Sequence, residues 1–413
     1  MSITKDKKQT AYQDTPIGKI PADWEVKKIK DIGNLSSGTT PSRSNKAYYS
    51  EGTIPWVKTT DLNNSVIFDT EEKITEKAIR ETSLKVYSKE TVLVAMYGGF
   101  NQIGRTGILG VEATTNQALS AICVNKNEID AMFLLYWLNA KVGLWKNFAG
   151  SSRKDPNITG KDVGDFPIVK PPLPEQKRIA EVLSTWDKAI QLTEQLIRQK
   201  EQRKKWLMQN LLTGKMRLKG FSGESQFRVL GKFITEVSDR NKKGVIKNVL
   251  SVTNSKGFIN QAEQFEREVA SADVSNYKII RKGQFAYNPS RVNVGSLDLL
   301  RKFDIGILSP MYVVFETDQK NLIPEYLYYL LKTNWFYGHI PMFVQGSVRD
   351  SLSFDGLCGM KFFIPSIEEQ TAIAEVLQTA DKEIELLKAK AEKLKEQKKG
   401  LMQQLLTGRK RLL

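Results

Sequence analysis

Cysteine and histidine are almost absent from this sequence. Cys123 and Cys358 are the two cysteines in 413 residues, and His339 is the one histidine. Two isolated cysteines give no disulfide framework and fit a reducing compartment, so a cytoplasmic protein is expected. With one histidine there are too few soft ligands for a structural zinc site. Long hydrophobic runs are missing too. Phe133 to Leu138 is about the longest, and falls far short of the roughly 20 residues that a membrane helix needs. The polar N-terminus lacks the apolar core of a secretory signal. Acidic residues are the minority charge: 62 Lys and Arg stand against 46 Asp and Glu, a net +16. That excess points to a polyanionic partner, of which nucleic acid is the usual one, with a solvated basic surface as the alternative. The 40% hydrophobic content is that of a globular chain, and the length suffices for two or three cores.

Catalytic motifs are also missing. An adenine-N6 methyltransferase needs an Asn/Asp-Pro-Pro-aromatic loop to hold a flipped base. Asn288-Pro289-Ser290-Arg291 begins that way but lacks the second proline and the aromatic, and reads as a turn. The glycine-rich stretch Gly98 to Gly107 matches neither a phosphate-binding loop nor a dinucleotide fingerprint. A hairpin with polar tips accounts for it. Acidic pairs are scattered and form no nuclease or metal cluster.

What the sequence does contain is one long stretch written twice. Glu175 to Leu218 recurs as Glu369 to Leu412 without a gap, about half of the positions being identical. Each copy carries an apolar stripe at alternating three- and four-residue spacing, which predicts a long helix with a heptad seam. The seam runs through Ile179, Val182, Trp186 and Ile190 in the first copy. In the second it runs through Ile373, Val376, Ile384, Leu387 and Leu394. Lys200, Lys204 and Lys398 interrupt it. Pro174 suits a first helical position, Ser366 with Glu369 fits a capping box, and Gly214 and Gly408 suit left-handed closures. A stripe on so long a helix cannot bury itself, and the simplest partner is the other copy. These two stretches, with the residue that follows each, carry nine of the sixteen net positive charges.

The rest is two globular regions of mixed pattern, so the fold class is α+β. In the first, Thr91–Tyr97 and Ala118–Val124 alternate like strands, Ile129 to Trp145 is apolar at helical spacing, and Trp24 is a packing residue. The second aligns with it loosely, Ala131–Tyr136 facing Pro324–Tyr329 and Phe166–Val169 facing Met360–Phe363. The expected division is a globular domain over 1–173, a helix over 174–218, a second domain over 219–366 and a second helix over 367–413.

Pro-x-x-x-Glu-Gln leading into Ile-Ala-x-Val-Leu, then Leu-Leu-Thr-Gly-x-x-Arg-Leu, occurs in both copies. Together with Ile20-Pro-Ala-Asp-Trp-Glu-Val26 and Ile54-Pro-Trp-Val57, this closely resembles the specificity subunits of Type I restriction–modification systems. The second region departs from the pattern, having Val249-Leu-Ser-Val-Thr253 in place of Ile-Pro-Trp. The resemblance implies two target recognition domains, each reading one half of a split site in double-stranded DNA. It implies two antiparallel helices as a coiled-coil spacer, giving a pseudo-two-fold internal repeat. It implies a non-catalytic subunit on which two adenine-N6 methyltransferase subunits dock and which motor–nuclease restriction subunits join. S-adenosylmethionine, ATP and magnesium would then belong to those partners. The rival readings are a self-sufficient restriction or modification enzyme, which the missing motifs oppose, and a plain coiled-coil scaffold, which leaves two unlike basic heads unexplained.

Base edges are read by Arg, Lys, Asn, Gln, Ser and Thr on loops that enter a groove. In the first region such residues cluster at Thr59 and Thr60, at Asn101, Gln102 and Arg105, and at Ser151, Ser152, Arg153 and Lys154. In the second they cluster at Thr253 and Asn254, at Ser290, Arg291 and Asn293, and at Gln345, Ser347 and Arg349. For any single one, a solvated turn explains the residue as well; the clusters as sets carry more weight. Trp206, which faces Gly400 in the second copy, is expected on an outer helix face.

Overall fold

The structure is a computed structural model and describes residues 11–99, 101–149, 157–222, 227–261, 273–344 and 351–412. The repeated stretches form helices of 39 residues each, Leu173–Leu211 and Ile367–Leu405, about 58 Å long at 1.5 Å per residue. Pro174 is the second helical residue, one position later than expected, where its missing N–H still costs nothing. Both helices stop before their Leu-Thr-Gly triplets, and Gly214 and Gly408 adopt φ of +70° and +69°. The tails beyond, up to Leu218 and Leu412, are not helical.

The compact units are not consecutive in the chain. One holds residues 1–192 and 391–413, and the other holds 193–390. Each unit therefore contains a globular region, the first half of the helix that follows it and the second half of the other helix.

In the first unit, a five-stranded sheet runs in the order Gly33–Ser37, Leu119–Val124, Val92–Ala95, Thr106–Leu109, Val66–Ile67. In the second, a four-stranded antiparallel sheet runs Ile234–Glu236, Val313–Thr317, Phe285–Tyr287, Leu297–Leu299. The first four strands correspond one for one. The central strand is continuously apolar because both its faces are covered. Val92 and Val94 pack on the helical side, while Leu93 and Ala95 pack into the opposite core. In the second unit Phe285 and Tyr287 face one core and Ala286 the other.

The helix expected over Ile129 to Trp145 is shorter. It spans Ala131–Ala140, capped by the Asp130 carboxylate, and gives way at Lys141 to a 3-10 turn over Val142–Asn147. β-branched Val142 followed by Gly143 lowers helix propensity at that point. Among the described residues no helix is long and apolar enough to cross a membrane.

Candidate nucleic-acid interface

Three side-chain arrangements tie the repeated stretches to one another or to the globular region of each unit, and all three occur twice. Gln176 accepts the Asp130 amide (2.9 Å) and donates to the carbonyls of Glu128 and Pro171. Gln370 accepts the Ile323 amide (3.0 Å) and donates to those of Asn321 and Pro365. Both side chains are buried, so each amide satisfies backbone groups that would otherwise be orphaned.

The neighbouring glutamates are buried as well, at 2% and 1% exposure for Glu175 and Glu369. Each takes a forked hydrogen bond from the arginine that ends the other repeat. Arg411 donates through Nε and Nη2 to Glu175, both at 2.8 Å, and Arg217 donates in the same way to Glu369. These contacts hold both guanidinium pKa values above the ordinary one. The capping box expected at Ser366 is therefore half formed. The Glu369 amide does approach the Ser366 hydroxyl (3.4 Å), but its carboxylate is taken by Arg217.

The third arrangement explains the lysines that break the apolar stripe. Tyr136 donates to Asp187 (2.7 Å), and Lys398 pairs with the same carboxylate while lying 5.0 Å over the tyrosine ring. In the second unit Tyr329 donates to Asp381 (2.7 Å), and Lys204 pairs with Asp381 and lies 5.4 Å over that ring. Burial first, and the aspartate second, push both phenol pKa values well up. Lys200 pairs with Glu383 at 2.6 Å. Within each unit the pairs run Glu175 to Arg411 and Asp187 to Lys398, or Glu369 to Arg217 and Asp381 to Lys204. As one number rises its partner falls, so the paired helix halves are antiparallel. Of the seam residues, Ile179, Ile373 and Ile384 are buried, while Val182, Trp186, Ile190, Val376, Leu387 and Leu394 are half-buried. Trp206 is 53% exposed.

In each unit one candidate reading loop follows the central strand in sequence, from Ala95 to Thr106 in the first and from Tyr287 to Leu297 in the second, and another precedes it. In the first unit Gly98, Gly99 and Gly104 have positive φ in the loop from Ala95 to Thr106. Gly104 is required there, since a Cβ would lie 2.0 Å from the Trp145 ring. Asn101 is exposed, and half-buried Gln102 accepts from Arg105 at 3.0 Å. Thr59, half-buried, and Thr60, exposed, sit in a 3-10 turn closed by Asp61. Asn64 connects the two clusters: its amide donates to Thr106 O (2.8 Å), and its side chain accepts the Thr106 amide (3.0 Å).

In the second unit Thr253 and Asn254 begin the turn of a hairpin, Leu250–Thr253 with Gly257–Asn260. Ser290, Arg291 and Asn293 are exposed on the 3-10 turn Pro289–Val294. The expected turn at Asn288-Pro289 is this one, with the Asn288 side chain accepting the Ser290 amide. Ser296 Oγ donates to Val252 O (3.1 Å), joining turn to hairpin.

Both loops meet the stretch that precedes the long helix through the same hydrogen bond. The Ile158 amide donates to Met96 O (2.9 Å), and the Leu352 amide donates to Pro289 O (3.1 Å). Ser151, Ser152, Arg153, Lys154, Gln345, Ser347 and Arg349 lie outside the described residues.

Sequence reasoning missed the roles of Glu175, Gln176, Asp187 and Lys398 and of their counterparts. The signal was available: these polar positions are identical between the copies, where a merely solvated helix face has no reason to repeat. Tyr136 and Tyr329 also occupied matching places in the aligned segments.

The chain matches the family described as the Type I restriction modification DNA specificity domain over residues 21–202 and 232–396. It is 37% identical over 194 residues to the MjaIX specificity subunit of Methanocaldococcus jannaschii, covering 46% of this chain and 44% of that one. It is 25% identical to the MjaVIII specificity subunit of the same organism, across 95% of this chain and 94% of the relative. In fold it resembles the crystal structure of a Type I restriction–modification S subunit from M. genitalium, with a TM-score of 0.58 at 15% identity, covering 92% of this chain and 96% of that one. The repeated frame and these matches agree: the chain belongs to the family of Type I restriction–modification DNA specificity subunits.

Proposed function

We propose that each unit reads one half of a bipartite DNA site and that the chain is a recognition subunit without chemistry of its own. In this reading methyltransferase subunits dock on the paired helices and methylate adenine at N6, and motor–nuclease subunits complete the restriction complex. S-adenosylmethionine, ATP and magnesium are bound by those partners. The observation that carries the reading is the doubling itself. Two frames held by the same Gln, Glu–Arg and Tyr–Asp–Lys contacts present different exposed polar side chains, Thr60 and Asn101 on one and Asn254, Arg291 and Asn293 on the other. A common frame with unlike surfaces is what a protein needs to present two different sequences to one kind of partner.

The test is to co-express the full chain with its methyltransferase subunit and sequence the modified bases. Two defined half-sequences with a fixed, undefined gap are expected; a single unbroken motif, or methylation by this chain alone, overturns the reading. The helices set the gap in this proposal. Four residues inserted after Leu196 lengthen that helix by about 6 Å, which at about 3.4 Å per base pair widens the gap by one to two base pairs. The four-residue shift also turns the heptad stripe slightly and weakens the pairing. A similar insertion after Lys390 should act alike. An active variant with an unchanged gap would assign the spacing to the partners instead.

A further inference from the structure

The hairpin of the second unit presents Asn254, Ser255 and Lys256 to solvent. Its turn is closed from within, because Thr253 Oγ1 accepts the Lys256 amide and donates to Gly257 O, both at 3.2 Å. It is also held from outside. Asp298, 9% exposed in the strand Leu297–Leu299, accepts the Phe258 amide at 3.2 Å. Gly257 has φ +60°, and a Cβ on it would lie 1.9 Å from the Asp298 Oδ2, so the turn backbone rests directly on this carboxylate. Lys332 stands 4.0 Å from the other Asp298 oxygen and donates to Leu297 O at 2.6 Å. On its other side the tip touches the 3-10 turn. Gly295 has φ +90°, and a Cβ there would come within 2.4 Å of Asn254 Oδ1.

A two-stranded hairpin is marginal when unsupported, and base readout requires donors placed to within about 0.5 Å. A sheltered carboxylate that accepts a backbone amide gives a strong, directional anchor. We infer that Asp298 is a specificity-positioning residue: by seating the hairpin turn against the Pro289–Val294 turn, it makes Asn254 and Arg291 parts of one base-reading surface. The side chains suit purine edges, Asn for adenine and Arg for guanine. This inference rests on the reading that the second unit contacts DNA.

The experiment recovers bound sequences from a randomised double-stranded DNA pool, using the full chain assembled with its methyltransferase subunit. The variants are Asp298→Ala, Asp298→Asn, Asn254→Ala and Gly295→Ala. Discrimination at one or two positions of one half-site should fall about 5- to 100-fold in Asn254→Ala. Asp298→Ala should relax the same positions, Asp298→Asn should restore part of the loss because it keeps an acceptor, and the other half-site should stay sharp. A motif unchanged in Asn254→Ala and Asp298→Ala overturns the inference while leaving the reading intact. So does a uniform loss of affinity with a shallower salt slope, which marks phosphate contact. No bipartite motif from the unaltered complex overturns both. If Asp298→Ala does not fold, Asn254→Ala and Gly295→Ala decide by whether they relax the same positions.

Discussion

The two units share what couples a head to its helices and differ in what the head presents. Glu–Arg, Gln and Tyr–Asp–Lys recur with the same atoms in contact. Beyond the central strands the units diverge. The first builds a three-stranded sheet around Ile54–Val57. There the Arg43 guanidinium lies 4.6 Å from the Tyr49 ring and 5.0 Å from that of Trp56. The second replaces this with the hairpin over Asp298. Coupling is therefore under one set of physical demands and presentation under another. A residue that repeats between the units belongs to the coupling, and one that does not is a better candidate for contact with DNA.

The coupling itself is not perfectly symmetric, and its largest expected effect lies there. Glu175 takes hydrogen bonds from Arg411, the Trp24 indole (3.1 Å) and the Leu412 amide (3.2 Å), and Arg411 also holds Asp23 at 2.7 and 2.9 Å. Arg217 has the Ser222 carbonyl at 3.4 Å in addition to Glu369. Removing one partner of a buried pair costs about 3–5 kcal/mol through the charge left behind. Arg217→Ala, which leaves the carboxylate of Glu369 at 1% exposure, should fall in that range. Arg411→Ala should cost less, because the Trp24 indole and the Leu412 amide still donate to Glu175. Denaturant unfolding, followed by hydrogen exchange resolved to each unit, measures both. An equal or larger loss for Arg411→Ala would show that Trp24 and Leu412 give no compensation.

The tyrosine anchors should respond alike, and less strongly. Tyr136→Phe and Tyr329→Phe each lose a hydrogen bond to a carboxylate. Asp187 and Asp381 are 41% and 43% exposed, so solvent screening puts the loss near about 1–2 kcal/mol. Their pH dependence has a definite sign. Burial, then the aspartate, raises each phenol pKa in the folded chain above the ordinary tyrosine value of about 10. The stabilisation is complete below that unfolded value and is lost as pH rises from it toward the folded value. Alkaline unfolding should begin above roughly pH 10, and each Phe variant should flatten that limb. If only one variant does, the two anchors are not equivalent.

Much of this frame was legible because it depends on periodicity and repetition. The helices, the Gly214 and Gly408 closures and the central strand Val92–Ala95 follow from local pattern. The pairing of Arg411 with Glu175 does not, since it joins the end of one copy to the beginning of the other across 236 residues. Periodicity made Lys204 and Lys398 look like defects in a stripe, when each completes a contact with a tyrosine from the globular region. The reading loops were legible only as composition. Nothing local in Asp298 shows that it will lie under Gly257 and take the Phe258 amide, because that depends on the fold bringing Phe258 and Asp298, 40 residues apart, together. The short 3-10 turns at Thr59–Asp61 and Pro289–Val294 have no period to detect.

The smallest effect sharpens the comparison on the helices themselves. Position 400 is glycine where the first copy has Trp206. Gly400 lies inside the helix Ile367–Leu405, and a Cβ added there would meet nothing within 4 Å. Alanine restrains the unfolded chain and fits the helix, so Gly400→Ala should gain about 0.5–1 kcal/mol. Trp206→Gly should lose at least as much, because the same propensity acts in reverse and the half of the ring that is covered no longer packs. The shift in denaturant midpoint at constant slope measures both. A gain from Gly400→Ala in the isolated chain that disappears in the complex with the methyltransferase subunit would mean that a partner approaches the helix closely at Gly400. The difference between the two copies would then belong to docking and not to the stability of the helices.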